Sequence, residues 1–167
     1  DLIEVLPSAI ALPEDALILQ DEFCIGIPKK ALVHAFIRAR KLFFESRSSK
    51  SCSDEALVAT KVMLLFDPEH ITAANHRKKH LLKLRDTNTS KTNEDFFPAV
   101  KREFVFLDSI LTSPLHRQTK SPTLWSHRRW LVSTFYPFIY SARYLSTTAA
   151  DSIEHMEFQS VFKAAER

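Results

Sequence analysis

Two segments of the chain share one outline, and this internal repetition constrains the fold more than any other feature of the sequence. Residues 120–132 read KSPTLWSHRRWLV, and residues 67–79 read DPEHITAANHRKK. A Ser-Pro or Asp-Pro pair stands near the start of each segment, and a His-Arg pair follows after a run of small or apolar residues. Recurrence of this kind predicts stacked copies of one supersecondary unit.

The later segment has the features of a capped amphipathic helix. Ser121 can accept hydrogen bonds from the free N–H groups of a helix start, and Pro122 fits the first helical position because its missing N–H costs nothing there. Trp125 lies one turn before Arg128 and Arg129, so a guanidinium is predicted to lie against the indole face. Contacts for a neighbouring helix are predicted from Leu124, Leu131, Val132 and Phe135, with Trp130 at the side.

The earlier segment predicts a second helix of the same kind. Asp67 is predicted to cap it and Pro68 to start it. Aligning the His-Arg pairs places Ala74 where Trp125 stands, so this copy has lost its aromatic residue. The same alignment matches Asn75, His76 and Arg77 with Ser126, His127 and Arg128. The spacing alone is also compatible with two unrelated amphipathic helices that have good N-caps.

Composition favours a soluble, mainly helical domain. Gly26 is the only glycine, which argues against tight primed β-hairpins and against a Gly-rich phosphate loop, so a nucleotide-binding fold is not expected. Cys24 and Cys52 have no metal-ligand spacing and are typical of a reducing compartment. Without a signal pattern or a long apolar run, the chain is predicted to be cytoplasmic. It begins with Asp1 rather than Met, as a fragment does.

Periodicity predicts about six helices. They cover residues 28–46, 54–66, 68–86, 96–113 and 122–146, and a last helix begins at Asp151. Pro137 is predicted to kink or divide the fifth helix. Residues 1–27 are predicted to form an N-terminal arm, extended or briefly helical, before a helical-repeat domain at 28–167. Repeats near 54–86 and 96–135, with an incomplete third from 151, predict an all-α fold, an α-solenoid of stacked antiparallel helical hairpins.

These segments resemble the repeats of protein prenyltransferase α subunits, each a helical hairpin with the approximate pattern Asn-Pro-x-x-Tyr-x-x-Trp-x-x-Arg-Arg. LLFDPEHITAANHRKKHLL is similar to a first repeat and KSPTLWSHRRWLV to a second. Together with KKALVHAFIRARKLFF upstream, KSP-x-x-W-x-HRRW most resembles the divergent branch of α-subunit repeat-containing proteins. The resemblance covers residues 33–135. It assigns the structural repeat motif to Pro68, Asn75, His76, Arg77, Trp125, His127, Arg128, Arg129 and Trp130.

The resemblance also implies an activity. In that family the α subunit acts with a β subunit that holds the catalytic zinc, and the pair transfers an isoprenoid from its diphosphate to a cysteine of an acceptor protein. The implied partners of this chain are therefore a β subunit, an isoprenoid diphosphate and an acceptor protein, with geranylgeranyl as the expected isoprenoid. No cofactor is expected on this chain itself.

One catalytic residue follows from the resemblance. The family lysine that lies five positions before the second-repeat tryptophan contacts the diphosphate, and Lys120 occupies that position. An ammonium there stabilises the charge that grows as the carbon–oxygen bond breaks. The alternative is a solvated lysine in a turn. Pro122 stands where the family has a tyrosine, so the hydroxyl of that tyrosine is missing.

Two functions from different classes remain open. The chain is either the α subunit, or a fragment of it, of a heterodimeric prenyltransferase that is inactive without its β subunit, or a non-catalytic helical-repeat module for protein interaction. Lys120 and the intact HRRW sequence favour the enzyme. Ala74, Pro122 and the small number of repeats favour the interaction module.

Two other site types are not favoured by the sequence. His76 and His80 have the spacing of two metal ligands on a helix, but no third ligand accompanies them, and no metal site is predicted. The basic run HRKKHLLK at 76–83 can neutralise phosphates, yet the net charge is only +3 and acidic residues are interspersed. A solvated helix face is therefore the preferred interpretation, and no nucleic-acid partner is expected.

Overall fold

Helices account for most of the residues that the structure describes. The computed structural model describes residues 2–7, 18–22, 24–48, 54–87 and 96–143. The helices in these ranges are α1 (Lys29–Ser48), α2 (Asp54–Phe66), α3 (Ile71–Thr87), α4 (Phe96–Leu111), α5 (His116–Thr119) and α6 (Pro122–Arg143). The strands are β1 (Leu2–Leu6), β2 (Leu19–Asp21) and β3 (Cys24–Pro28). The fold is mostly helical, as predicted, with a small sheet in addition.

The helices pack in overlapping pairs around one core. α1 contacts α2, α2 contacts α3, and α3 contacts both α4 and α6, which also contact each other. Burial of one large apolar side chain contributes about 1.5–3 kcal/mol, so these contacts hold the fold together. These contacts do not establish the α-solenoid of stacked hairpins, which stays a prediction. The largest buried apolar side chains are Phe43, Met63, Leu64, Leu81, Leu107, Ile110, Leu111, Leu124, Leu131 and Phe135.

Most predicted helix boundaries agree with the structure. α2 matches its predicted range and ends before Asp67, because a residue that precedes proline is pushed out of the helical region. The connection before α6 contains α5, a four-residue helix that the sequence pattern does not predict. α6 continues past Pro137, so this proline does not divide the helix, and the alternative, a kink, stays a prediction. A proline removes one backbone hydrogen bond, and the turns on both sides can still form. The helix predicted from Asp151 lies outside the described residues.

The N-terminal arm contains a three-stranded sheet in the order β1-β3-β2. β1 runs parallel to β3, and β2 runs antiparallel to it. Asp21 pairs with Cys24, so only two residues join β2 to β3. The prediction that such tight hairpins are absent because Gly26 is the only glycine is therefore wrong. Glu22 itself adopts the left-handed region, with φ 47°, at a cost of roughly 1–2 kcal/mol for a non-glycine residue.

Within the described ranges, no helix combines the length and the apolar character needed to cross a membrane.

Candidate functional site

The start of α6 is built as the sequence predicts. The Ser121 hydroxyl accepts a hydrogen bond from the Leu124 N–H at 3.1 Å, and the Ser121 carbonyl accepts the Trp125 N–H at 3.1 Å. Ser121 is therefore the N-cap, since it satisfies donors that the first helical turn leaves free. Pro122 is the first helical residue. Local chemistry thus fixes where this motif helix begins.

The first motif starts its helix later than predicted. Asp67 and Pro68 lie in a turn in which the Asp67 carbonyl accepts the His70 N–H at 3.1 Å, and α3 begins at Ile71. His70 caps α3, because its Nδ1 accepts the Ala73 N–H at 3.3 Å. The prediction that Asp67 caps and Pro68 starts this helix is wrong. The Asp-Pro pair ends α2 and makes the turn instead.

The two motif helices share a single register. His70 and Ser121 both cap a helix, and the offset between them is the offset that pairs Arg77 with Arg128. Alignment on the two prolines is inconsistent with this offset, because Pro122 corresponds to the first residue of α3 rather than to the turn before it. The His-Arg pairs, not the prolines, are therefore the equivalent positions.

The arginines of both motifs reach α4. Arg77 on α3 forms an ion pair with Glu103, in which its Nε donates to Oε1 at 2.7 Å and its Nη2 donates to Oε2. Arg128 on α6 lies 3.5 Å from Asp108, measured from Nη1 to Oδ1. The first pair is almost fully buried, whereas Asp108 is partly exposed. α4 is thus connected to each motif helix by one ion pair.

Arg77 also contacts α2. Its Nη1 donates to the Leu57 carbonyl and to the Thr60 hydroxyl, each at 2.9 Å, and its guanidinium lies 4.4 Å from the centre of the Phe106 ring. A buried charge is tolerated only when it is paired and hydrogen-bonded, and here both conditions hold. Arg77 therefore connects α2, α3 and α4, which is a structural role.

His127 lies at the same junction. It is fully buried, with its ring centre 5.9 Å from that of Trp130 and its Nε2 3.5 Å from Oε1 of Glu103. Burial lowers the pKa of His127 to about 4, and the neighbouring Glu103 carboxylate opposes this effect only in part. His127 is therefore neutral at pH 7. A neutral buried imidazole is suited to packing between helices rather than to proton transfer with solvent.

The other motif residues are less enclosed. Trp125 is half-buried, and its indole N–H donates to the Thr119 carbonyl at 2.7 Å, which joins α6 to the end of α5. His76 packs edge-on against a buried phenylalanine ring at 5.1 Å. Asn75 and Arg129 are exposed. The motif thus combines interior contacts with two polar positions on the surface.

The turn before α3 and the turn before α6 are bonded to each other. Glu69 accepts hydrogen bonds from the hydroxyls of Ser121 and Thr123, the latter at 2.6 Å. Gln118 Nε2 donates to the Leu65 carbonyl at 2.7 Å. Burial raises the pKa of Glu69, but the hydrogen bonds from Ser121 and Thr123, together with the charge of Arg117, outweigh this effect, so the pKa lies below its ordinary value. The sequence analysis does not predict this contact between the two turns. The signal for it is the presence of polar residues next to both prolines, namely Glu69 beside Pro68 and Ser121 and Thr123 beside Pro122.

Lys120 stands next to these bonded turns. It is the exposed C-cap of α5 and directly precedes the N-cap of α6. The residues on both sides of it are held, because Thr119 accepts the Trp125 indole N–H and Ser121 donates to Glu69. A fixed backbone with an exposed lysine can present an ammonium group to an anion outside the chain.

No site for a metal ion accompanies this lysine. Among the residues that the structure describes, no group of three or more His, Cys, Asp or Glu could hold a metal ion.

Comparison with known proteins gives partial support to the resemblance. Geranylgeranyl transferase type-2 subunit alpha from Candida albicans is 30% identical over 89 residues. The match covers 53% of this chain and 23% of that relative, so the chain spans less than a quarter of the relative's length. The chain matches no family model. The similarity suggests the prenyltransferase α-subunit family.

Proposed function

We propose that this chain is the α subunit, or a part of it, of a heterodimeric protein prenyltransferase. The pair transfers an isoprenoid, expected to be geranylgeranyl, from its diphosphate to a cysteine of an acceptor protein in the cytoplasm. The β subunit holds the zinc and the lipid pocket, and this chain binds no cofactor. Support comes from the similarity to a geranylgeranyl transferase alpha subunit and from the two capped motif helices in one register.

The position of Lys120 is the observation that carries this proposal. It lies five residues before Trp125, as the resembled lysine does, and it is exposed on a turn whose neighbouring residues are hydrogen-bonded. Enzymes gain most from charged groups that are already in place when charge develops in the transition state. A lysine anchored in this way meets that requirement better than one on a long loop.

The proposed chemistry makes one bond and breaks one. The thiolate sulfur of the acceptor bonds to the first carbon of the isoprenoid, while the bond from that carbon to the diphosphate oxygen breaks and the diphosphate leaves with the electron pair. Negative charge therefore grows on the departing oxygen. The Lys120 ammonium stabilises this charge and keeps its own proton. Pro122, which replaces the family tyrosine, supplies no hydroxyl to this step.

A non-catalytic interaction module is the second candidate, and the burial of the motif favours it. Arg77, His127 and Arg128 are almost fully buried between helices. These contacts give the motif a packing role that requires no catalytic chemistry. Under this alternative, Lys120 is an ordinary exposed lysine, and the chain serves to bind another protein.

Single-turnover prenylation by a complex with a prenyltransferase β subunit separates the two candidates. Lys120→Ala should slow transfer by roughly 30- to 1,000-fold, because loss of one preorganised stabilising group raises the barrier by about 2–4 kcal/mol. The complex itself should persist. Lys79→Ala is the matched control, since Lys79 is exposed on α3, and its rate should be unchanged. An active complex that is indifferent to Lys120→Ala removes the catalytic role, and failure to bind any β subunit favours the interaction module.

A further inference from the structure

A groove of about 520 Å³ lies beside α4, and its described lining includes neither Lys120 nor a residue of the repeat motif. It is formed by residues of α2, α4 and β1. None of the described residues that line it is acidic. A volume in this range can hold a small molecule or a few residues of a peptide. Its walls combine basic and apolar side chains, principally Lys61, Lys101, Arg102, Ile3, Val105 and Phe106.

The basic side of the groove comes from two helices. Lys61 on α2 and both Lys101 and Arg102 on α4 are exposed. Burial lowers the pKa of Lys61, and the positive charge of Arg77 lowers it further. Glu103 opposes this effect, but its carboxylate is already bound by Arg77. An anionic group that enters the groove therefore meets three cations, and no described lining residue carries a negative charge to neutralise them.

The apolar side of the groove is preformed. The Phe106 ring has the Arg77 guanidinium 4.4 Å from its centre and Lys61 Nζ 5.7 Å from its centre, so cations on two helices hold it in place. Val105 beside it is 43% exposed, although it is a large apolar residue. A ligand that carries only charge, such as inorganic phosphate, leaves this apolar wall uncovered. The groove therefore fits a ligand with both negative and apolar groups.

We propose that this groove binds an acidic peptide segment of a partner protein, with an apolar side chain between its carboxylates. The carboxylates pair with Lys61, Lys101 and Arg102, and the apolar side chain packs on Val105 and Phe106. β1, which contributes to the groove, is an edge strand of the described sheet. An extended peptide can use the free backbone groups of an edge strand, which favours a peptide over a lipid surface or a nucleic acid.

Fluorescence anisotropy with the whole chain and a labelled Glu-Glu-Leu-Glu-Glu peptide tests this site. Binding should be saturable and should weaken as ionic strength rises. The double variant Lys101→Glu with Arg102→Glu should bind about tenfold more weakly or worse, because two attractions become repulsions. Val105→Ser should bind roughly fivefold more weakly at unchanged net charge. The control pair Lys79→Glu with Lys83→Glu makes the same charge change on α3 and should bind normally.

Further arms distinguish the peptide from other anions. A Gln-Gln-Leu-Gln-Gln peptide should not bind, and equal binding of this neutral peptide overturns the proposal. The proposal is also overturned if the control pair Lys79→Glu with Lys83→Glu loses as much binding as the groove variant, since binding then depends on net charge alone. Tighter binding of phosphatidylserine vesicles or a single-stranded RNA, lost in the same groove variants, assigns the groove to those ligands instead. Circular dichroism verifies the fold of each variant, and Arg102→Gln replaces the double variant if that variant unfolds.

Discussion

Removal of the buried carboxylate of Glu103 is expected to destabilise the protein strongly. The carboxylate is bound by both Nε and Nη2 of Arg77, a side chain that is only 2% exposed. Glu103→Ala leaves the guanidinium in the interior with its contacts to Leu57 and Thr60 but without this carboxylate. Loss of one partner from a buried ion pair costs about 3–5 kcal/mol, because the remaining charge stays desolvated.

For a chain of 167 residues, this loss lowers the melting temperature by about 6–20 °C. Thermal unfolding followed by circular dichroism measures it. Asp108→Ala is the comparison on the same helix, because its 3.5 Å pair with Arg128 is longer and Asp108 is partly exposed. Since Arg128 itself is buried, the cost should lie above that of a surface pair but below that of Glu103→Ala. The double variant Arg77→Met with Glu103→Leu should recover part of the loss, since it leaves no unpaired charge. If Glu103→Ala melts no lower than Asp108→Ala, the reasoning about the buried pair is refuted.

Two further predictions concern the second motif. Trp125→Ala should lower the free energy of unfolding by roughly 2–3 kcal/mol, because packing of the indole and its hydrogen bond to Thr119 are lost. The loss is smaller than for a fully buried tryptophan, since Trp125 is half-buried. An unchanged melting temperature contradicts this prediction. The pKa of His127 is about 4 in the folded chain and about 6.5 in the unfolded one. The contribution of neutral His127 to the free energy of unfolding is therefore complete above pH 6.5 and declines as the pH falls towards 4. Urea unfolding should show a loss of about 2 kcal/mol between pH 7 and pH 5, which His127→Gln should remove and the exposed control His116→Gln should retain. Equal slopes in both variants contradict the assignment.

Local signals in the sequence predicted the ends of helices well. The end of α2 before Asp67 and the start of α6 at Ser121 follow from proline and capping chemistry within a few residues. The start of α3 differs from the prediction because Asp67 and Pro68 form a strong local capping signal, whereas the actual cap, His70, is not a preferred N-cap residue. The left-handed conformation of Glu22 has no local signal in the sequence, because glycine is the residue expected at such a position.

Contacts between distant residues could not be predicted from this one sequence. Arg77 and Glu103 are 26 positions apart, and Ser121 and Glu69 are 52 apart. Each arginine or hydroxyl had many acidic residues as possible partners, and only the packing of helices selects one. The role of Lys120 is predicted by resemblance. The hydrogen bonds of the turns beside it can be seen only in the structure.

Purification of the full-length natural protein, with identification of its stable partner and zinc analysis, tests the central claim most directly. The account predicts an equimolar prenyltransferase β subunit that contains zinc, and transfer of an isoprenoid by the pair but not by this chain alone. A protein that purifies without a β subunit, or a complex with a β subunit that transfers no isoprenoid to any acceptor cysteine, would contradict the assignment as a catalytic α subunit.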